Sequence, residues 1–294
     1  MLALGTRQSA VDAAMLLGRD GHRTTMTSRS GTLPAVRWSL AAPERELPPL
    51  ERIAALDGAD PLLAERLARC VVEGVRLLGG GPLRAQTSAA ADPVRRLREE
   101  TALVAAGACR WPGVVLPVME RGIELGARLG APQRQELLDH FAPLLSRYLT
   151  AMTAVNARRL LGHFDSGLLR LAPAYPAAVS FTDGEWRVTW PGQGGGRTER
   201  FDYVVNATGF RLPELYWNAD GTALHQDRPP RGSSTALGRL EADLRVRRRP
   251  GAAAEDIWVA GVGTHVRIPF SNHLRNVVRQ ARDVAEQVVG KESC

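Results

Sequence analysis

The feature that most constrains the fold is a glycine turn near the start of the chain, between a short apolar strand and a helix. Residues Met1 to Leu4 are apolar, Gly5 to Ala10 read GTRQSA, and Val11 to Leu17 carry apolar side chains at helical spacing. Gly21 ends this helix, because glycine takes the left-handed conformation at low cost. Residues Thr24 to Thr27 are β-branched enough for a second strand. The order strand, turn, helix, strand predicts the opening of a Rossmann-like unit.

The chemistry of this turn follows from its residue types. A glycine makes the tight turn, and the last small residue lets the helix pack on the strand. The helix N-terminus then faces a pyrophosphate with unpaired N–H groups. The second glycine position of GxGxxA holds Arg7, whose side chain either blocks a diphosphate or pairs with it. We therefore predict cofactor contacts from Gly5, Thr6, Arg7, Gln8 and Ser9, with a degenerate, purely structural turn as the alternative.

The end of the second strand indicates which dinucleotide the turn would bind. It reads Thr27-Ser28-Arg29-Ser30 and lacks the acidic residue that holds the ribose 2′-OH in NAD-binding units. A hydroxyl followed by a guanidinium suits a 2′-phosphate. Ser28 and Arg29 are therefore predicted to bind NADP(H), the alternative being an ordinary solvated arginine.

Composition excludes several other classes of protein. The net charge is +7 and Lys291 is the only lysine, so we attribute the arginine excess to codon bias rather than to a nucleic-acid partner, which would rest on charge alone. No apolar run is long enough for a membrane helix, and no secretory signal is recognisable. Cys70, Cys109 and Cys294 are far apart and form no CxxC pair, which argues against disulfides and zinc. We predict a cytoplasmic protein without a structural metal.

The pattern along the chain predicts an α/β fold: a Rossmann-like three-layer nucleotide-binding unit with a large helical insertion, a β-meander and a C-terminal strand-helix. Asp183-Gly184, between two alternating runs, is a strong hairpin signal. The predicted parts are the start of the nucleotide-binding unit at 1–40, the helical insertion at 41–164, the returning β-meander at 165–210 and a C-terminal part of the FAD type at 211–294.

More local expectations complete this assignment. Residues Gln133 to His163 are predicted to form one long amphipathic helix, bent at Pro143. Residues Phe201 to Asn206 are expected to be a single strand, and Ile257 to Ala260 a buried one. The polar stretch Arg211 to Glu255, rich in proline and glycine, is expected to be irregular.

Three segments in order carry a resemblance to a known family. They are GTRQSAVD with the following Ser28 to Pro34, then Val204 to Phe210 with its Ala207-Thr208-Gly209, then Asp256 to Gly263 with the helix after it. Together they resemble FAD/NAD(P)-binding oxidoreductases of the YdhS-like type and, more distantly, N-hydroxylating and Baeyer–Villiger-type flavin monooxygenases. The resemblance implies FAD contacts around the ATG-like element and the last strand and helix, at Ala207, Thr208, Gly209, Gly261, Gly263 and Asn272.

The resemblance also implies a function. It predicts an FAD- and NAD(P)H-linked oxidoreductase, monooxygenases included, that acts on a small-molecule substrate. Such proteins begin with a separate GxGxxG unit for FAD, which this sequence lacks. The expectation is a truncated product, a partner chain that supplies the FAD-binding half, or a protein that no longer binds FAD. The alternative function is a non-catalytic, degenerate nucleotide-binding protein that acts as a partner or scaffold.

Overall fold

A computed structural model of the chain gives helices between short strands. It describes residues 1–39, 43, 46–192, 196–209, 214–218, 220–225, 235–249, 251–265 and 273–292. The helices are α1 Gln8–Arg19, α2 Pro48–Ala54, α3 Leu63–Leu77, α4 Pro93–Ala105, α5 Pro112–Arg128, α6 Ala131–Leu144, α7 Ala154–Asp165 and α8 Leu274–Glu292.

The strands fall into two groups, because the chain divides into two compact units. Unit 1 comprises Met1–Ile53, Pro61–Val118 and Leu137–Gly209, and unit 2 comprises Ala54–Asp60, Met119–Glu136 and Phe210–Cys294. The strands of unit 1 are β1 Leu2–Leu4, β2 Thr24–Thr27, β3 Val36–Arg37, β4 Met152–Thr153, β5 Leu169–Leu171, β6 Ala178–Thr182, β7 Glu185–Trp190, β8 Arg197–Phe201 and β9 Val204–Asn206. Those of unit 2 are β10 Tyr216–Asn218, β11 Leu224–His225, β12 Thr235–Leu237, β13 Arg239–Leu240, β14 Arg245–Arg247 and β15 Ala254–Trp258.

Unit 1 is built around a parallel sheet with the spatial order β5–β2–β1–β9. The strand order reverses between β1 and β9, as it does at the ligand crevice of doubly wound folds. Side chains alternate across β1: Ala3 packs with the helices on one face, whereas Leu2 packs with the meander β6–β7–β8 on the other. These helix, parallel-sheet and meander layers confirm the predicted α/β class.

The helices α1 and α7 cover one face of this sheet and run in the same direction. Each ends a few residues before a parallel strand, β2 for α1 and β5 for α7. They pack closely at their C-terminal ends, where a Cβ on Gly18 would lie 2.7 Å from ring atoms of His163. Both helices therefore begin at the carboxyl edge of the sheet.

The predicted single helix over Gln133–His163 is wrong. The chain instead forms α6, a π-helical turn at Leu145–Leu149, the short strand β4, and then α7. Pro143 lies in the last turn of α6, where a residue without an N–H weakens the helix. Thr153 then starts α7 by accepting a hydrogen bond from the Asn156 N–H through its side chain, at 3.3 Å.

The meander confirms one local prediction and corrects another. β6 and β7 are joined by Asp183 and Gly184, with φ of 56° and 79°, as a two-residue hairpin turn of this kind requires. The predicted strand Phe201–Asn206 is split, because β8 ends at Phe201 in the meander and β9 begins at Val204 in the parallel sheet. The two residues between them change sheets.

Unit 2 contains the antiparallel sheets β11–β10–β12 and β13–β14–β15. Its core contains Leu215, Trp217 and Val246, against which Leu224 and Val259 pack. The stretch expected to be irregular therefore carries short strands, because its alternating apolar residues pair across turns. The expectation of a buried strand at Ile257–Ala260 is also wrong: β15 ends at Trp258, and Ile257 is exposed.

Within the described residues, no helix combines the length and the apolar character needed to cross a bilayer.

Candidate functional site

The sequence motifs around Gly5 and Ala207 meet at the point where the strand order reverses. The Gly5 N–H donates to the Thr27 carbonyl at 2.6 Å, and the Ala207 N–H donates to the Leu4 carbonyl at 2.8 Å. Gly5 has a φ of +130°, and a Cβ there would lie 2.3 Å from the Ala207 carbonyl oxygen. Only glycine fits this position. The glycine turn and the ATG-like element, which are far apart in the sequence, are therefore in direct contact at the carboxyl edge of the sheet.

The N-terminus of α1 directly follows this contact. Arg7 is its N-cap residue, has extended backbone angles (φ −94°, ψ −168°) and makes no side-chain cap. An extended conformation suits any residue, so arginine at the second glycine position causes no backbone strain. Its side chain is exposed and has no partner among the residues that the structure describes. The first turn of α1 contains no acidic residue. Ser9 lies within that turn, at the positive end of the helix dipole.

A cluster of hydroxyls joins the turn to the end of β2. The Thr6 hydroxyl is buried and lies 2.6 Å from the Thr32 carbonyl and 2.8 Å from the Ser28 hydroxyl. A carbonyl only accepts, so the Thr6 proton goes to Thr32, and Ser28 donates to Thr6. The Gly31 N–H in turn donates to the Ser28 oxygen at 3.1 Å. Ser28 is thus already engaged within the protein and shapes the loop that carries Arg29.

Arg29 follows β2 at the carboxyl edge of the sheet. Its guanidinium carbon lies 5.4 Å from the centre of the Tyr175 ring, which follows the neighbouring strand β5. Cation–π contact of this kind orients a planar guanidinium without neutralising it. Arg29 is exposed and has no carboxylate partner among the described residues, so its charge is available to a ligand.

The structure gives the predicted residue Gln8 a different role and adds Arg37, which the sequence did not indicate. Gln8 donates from Nε2 to the carbonyls of Thr150 at 2.7 Å and Ala151 at 3.1 Å, so its amide is used to fix α1 against the segment before β4. Arg37, on β3, donates from Nε to the same Ala151 carbonyl at 2.9 Å. Burial lowers the pKa of Arg37. Its sequence neighbourhood gives no signal, since the contact is with a residue more than a hundred positions away.

The ATG-like element ends in a locally bonded turn. Asn206 accepts from the Thr208 N–H at 3.2 Å and from the Thr208 hydroxyl at 2.8 Å. Gly209 has a φ of +99°, a conformation that favours glycine. Thr208 and Gly209 are exposed. The turn therefore presents its outer surface to solvent just after the carboxyl end of β9.

The remaining predicted cofactor residues belong to unit 2. The Gly261 N–H donates to Oε1 of the buried Gln280 at 2.7 Å, and Gln280 also donates to the Thr264 hydroxyl at 3.0 Å. A Cβ on Gly263 would lie 2.6 Å from a methyl group of Val259. Both glycines thus serve packing of a tight turn against α8. Asn272 lies outside the described residues.

In the part of the chain that the structure describes, no metal-binding cluster marks a site, and the Cys109 thiol does not mark one either. Among the described residues, no group of three histidine, cysteine or acidic side chains could hold a metal ion. Burial, with a smaller contribution from Glu100, raises the pKa of the Cys109 thiol to about 11. Its Sγ donates to the Gln86 carbonyl at 3.1 Å. A thiol with so high a pKa is a poor nucleophile at neutral pH.

The chain is similar in structure to several solved enzymes, at low sequence identity. No protein-family model matches the chain, and no curated protein matches it. The solved structures that it resembles include an ornithine hydroxylase of Pseudomonas aeruginosa, at 12% identity and a TM-score of 0.49 over 97% of this chain and 51% of that one. An L-lysine 6-monooxygenase of Pseudomonas syringae is 14% identical, with a TM-score of 0.42 over 99% and 53%.

A third similar structure is an ornithine N-hydroxylase of Kutzneria sp. 744 with reduced FAD, NADP+ and L-ornithine. It is 12% identical, with a TM-score of 0.42 over 99% of this chain and 54% of that one. The chain thus spans about half the length of these enzymes. N-hydroxylating enzymes are among the proteins that the sequence motifs resembled, whereas the YdhS-like part of that resemblance stays a prediction.

Proposed function

We propose that this chain binds NADP(H) at the carboxyl edge of its parallel sheet, as the nucleotide-binding part of a flavin-linked oxidoreductase that acts on a small metabolite. Monooxygenases are included in this class. The observation that carries the proposal is the approach of Gly5 to Ala207 where the strand order reverses. In open parallel sheets this point forms a crevice above the carboxyl ends of the strands, and ligands bind there.

The residues around this crevice fit a dinucleotide. Gly5 lets the turn lie directly against the Ala207 carbonyl, so the turn that leads into α1 is tight, as in dinucleotide-binding units. The first turn of α1 offers backbone N–H groups and carries no acidic residue that would repel an anion. Arg7, the N-cap of α1, and Arg29, which follows β2, have no carboxylate partners among the described residues. The fit is therefore electrostatic as well as steric.

Each residue then has a defined task. The N-terminus of α1 and the Arg7 guanidinium bind the diphosphate, to which arginine donates two parallel hydrogen bonds. Arg29, held over the Tyr175 ring, binds the 2′-phosphate and selects NADPH over NADH. The Thr6–Ser28 hydrogen bond positions the loop that carries Arg29. Bound NADPH supplies a hydride, and these residues orient the nucleotide for its transfer.

A flavin is not fitted by the residues that the resemblance assigned to it in unit 2. The Gly261 N–H is already bonded to Gln280, and the side of Gly263 that a Cβ would occupy lies against Val259, so Gly261 offers no free N–H to a ligand. We therefore assign the flavin to a partner polypeptide or a further segment. The same observation favours a second candidate function, a nucleotide-binding partner or scaffold without redox chemistry of its own.

Titration with NADPH and NADH, followed by nucleotide fluorescence, tests the proposal. We expect the chain to bind NADPH more tightly than NADH. Arg29→Gln should weaken NADPH binding by roughly tenfold to a hundredfold, as expected for a charged hydrogen bond, and leave NADH binding unchanged. Arg23→Gln is the matched control, since Arg23 is an exposed arginine at the opposite end of the same strand. A chain that binds neither nucleotide contradicts the proposal.

Oxidation of NADPH in the presence of added FAD separates the two candidate functions. The oxidoreductase predicts absorbance loss at 340 nm once the flavin-binding partner is present. Tight NADPH binding without oxidation under any pairing supports the scaffold instead.

A further inference from the structure

Arg37 is a half-buried cation that has no counter-ion in the part of the chain that the structure describes. Its Nε donates to the Ala151 carbonyl at 2.9 Å, and its two terminal nitrogens have no partner among the described residues. Buried or half-buried arginines are ordinarily paired with carboxylates, because desolvation of a lone charge is costly. Arg147, on the same side of unit 1, follows that rule through its ion pair with the buried Glu100. Of these two arginines, Arg37 is the one that has no carboxylate partner among the described residues.

The position of Arg37 makes this exception more pronounced. The Ala151 carbonyl that binds Arg37 also accepts from Nε2 of Gln8, the first residue of α1. Two donors on one oxygen place the guanidinium near the side-chain amide of the first residue of α1. That end of the helix carries a partial positive charge, and its first turn has no acidic residue. The Arg37 cation and the positive end of α1 are thus linked through the Ala151 carbonyl.

The described residues leave the charge of Arg37 without an opposing carboxylate. Burial lowers the pKa of Arg37, and no described carboxylate opposes that effect. An anion that bridges the guanidinium and the helix N-terminus would compensate both charges at once. A diphosphate has the size, the charge and the paired oxygens to do so.

We propose that Arg37 is a diphosphate-binding residue of the nucleotide site, a role that rests on the proposed binding of NADP(H). It binds the diphosphate from the side of β3, whereas Arg7 binds it from the turn. Arg29 differs from both, because it lies at the end of β2 beside Tyr175 and contacts the 2′-phosphate. Arg37 therefore contributes to affinity for NADPH and NADH alike and does not discriminate between them.

The test compares three variants in the same titration. Arg37→Gln should weaken binding of NADPH and of NADH by the same factor, roughly tenfold to a hundredfold. Arg29→Gln should affect NADPH alone. Arg69→Gln, which removes an exposed arginine from α3, is the charge control and should change neither affinity. Gln8 still donates to Ala151 in Arg37→Gln, so we expect that variant to fold. Arg37→Lys, which keeps the charge, should retain part of the affinity.

The outcomes separate this inference from the proposed function. If the wild-type chain binds both nucleotides and a folded Arg37→Gln binds them equally well, the role of Arg37 is wrong and NADP(H) binding stands. If the wild-type chain binds no nucleotide, the proposed function is wrong, and titration with inorganic pyrophosphate decides on Arg37. If pyrophosphate protects the wild type against thermal unfolding but does not protect Arg37→Gln, the result supports a diphosphate site. Equal protection, or none in either, overturns it.

Discussion

The carbonyl oxygen of Ala207 occupies the space that a side chain on Gly5 would need. The distance from that oxygen to an ideal Cβ is 2.3 Å, and the backbone of Gly5 has a φ of +130°. Both facts require glycine, one through contact and one through conformation. The contact between the ends of β1 and the edge strand β9 thus depends on the absence of a side chain at Gly5.

Gly5→Ala should therefore destabilise the protein by about 3 kcal/mol or more, through a backbone collision added to backbone strain. Gly21→Ala is the matched control: Gly21 has a φ of +81° but no atom within 4 Å of the added Cβ. It should cost only the conformational part, about 1–2 kcal/mol. Urea unfolding of both variants measures the difference. Equal losses would show that the contact with Ala207 adds nothing.

The packing of α1 on α7 predicts an energetic coupling between Gly18 and His163. Gly18→Ala places a methyl group 2.7 Å from the His163 ring and should cost roughly 1–3 kcal/mol. Because the conflict is with a side chain, the double variant Gly18→Ala/His163→Ala should lose less stability than the sum of the two single changes. Calorimetric unfolding of the four proteins gives the coupling energy. Strict additivity would contradict this contact.

The ion pair between Glu100 and Arg147 is the buried charge pair of unit 1 that we expect to be most sensitive. Its side chains are 4% and 18% exposed. Glu100→Gln leaves the Arg147 charge without its counter-ion and should cost roughly 3–5 kcal/mol. Glu100→Met/Arg147→Met removes both charges and should be less destabilised than Glu100→Gln. The free energy of unfolding in guanidinium chloride tests the order, and the reverse order would refute the argument.

The contact of Arg29 with Tyr175 predicts a separable effect on binding. Tyr175→Leu removes the ring face under the guanidinium and should weaken NADPH binding by roughly two- to fivefold, equivalent to about 0.5–1 kcal/mol. Tyr175→Phe keeps the ring and is the control, expected to bind like the wild type. NADH affinity should not change in either variant. A loss in Tyr175→Phe equal to that in Tyr175→Leu would implicate the hydroxyl instead.

Cys109 predicts a pH dependence of stability. Its pKa is raised from an ordinary 9.0 to about 11, mainly by burial, so the folded protein keeps a neutral thiol where the unfolded chain carries a thiolate. Stability should be unaffected below about pH 9 and should fall as the pH rises from about 9 to 11. Cys109→Ala should lack this step in urea midpoints measured across that range. Rapid alkylation of native Cys109 at pH 8 would contradict the assigned burial.

Local signals in the sequence predicted those parts of the fold that local chemistry determines. The strand, turn and helix around Gly5, and the hairpin at Asp183-Gly184, were predicted because each needs only neighbouring residues. The division of Phe201–Asn206 between two sheets was missed, since the strand-forming residues of this segment do not reveal which strand pairs with which half. The break after Pro143 was missed because one proline is compatible with a bend or an end.

The candidate site divides in the same way. Gly5, Arg7 and Arg29 were identified from motif position alone, and their roles as cofactor contacts stay predictions. Arg37 carries no motif, because its significance comes from sharing the Ala151 carbonyl with Gln8. Gly261 matched a motif but proved to be bonded to Gln280, a partner that the motif does not reveal. Sequence spacing identifies residues on one turn, whereas the distant residues that bond to them become known only from the folded structure.

The common direction of α1 and α7 has a consequence for any mutational study of this edge. The peptide groups of both helices point their positive ends toward the carboxyl side of the sheet, and every residue contributes to that field whatever its side chain. Replacing each arginine in turn removes individual contacts and leaves this background intact. Removing the dipole field itself would require a change of chain path, such as a proline within α1.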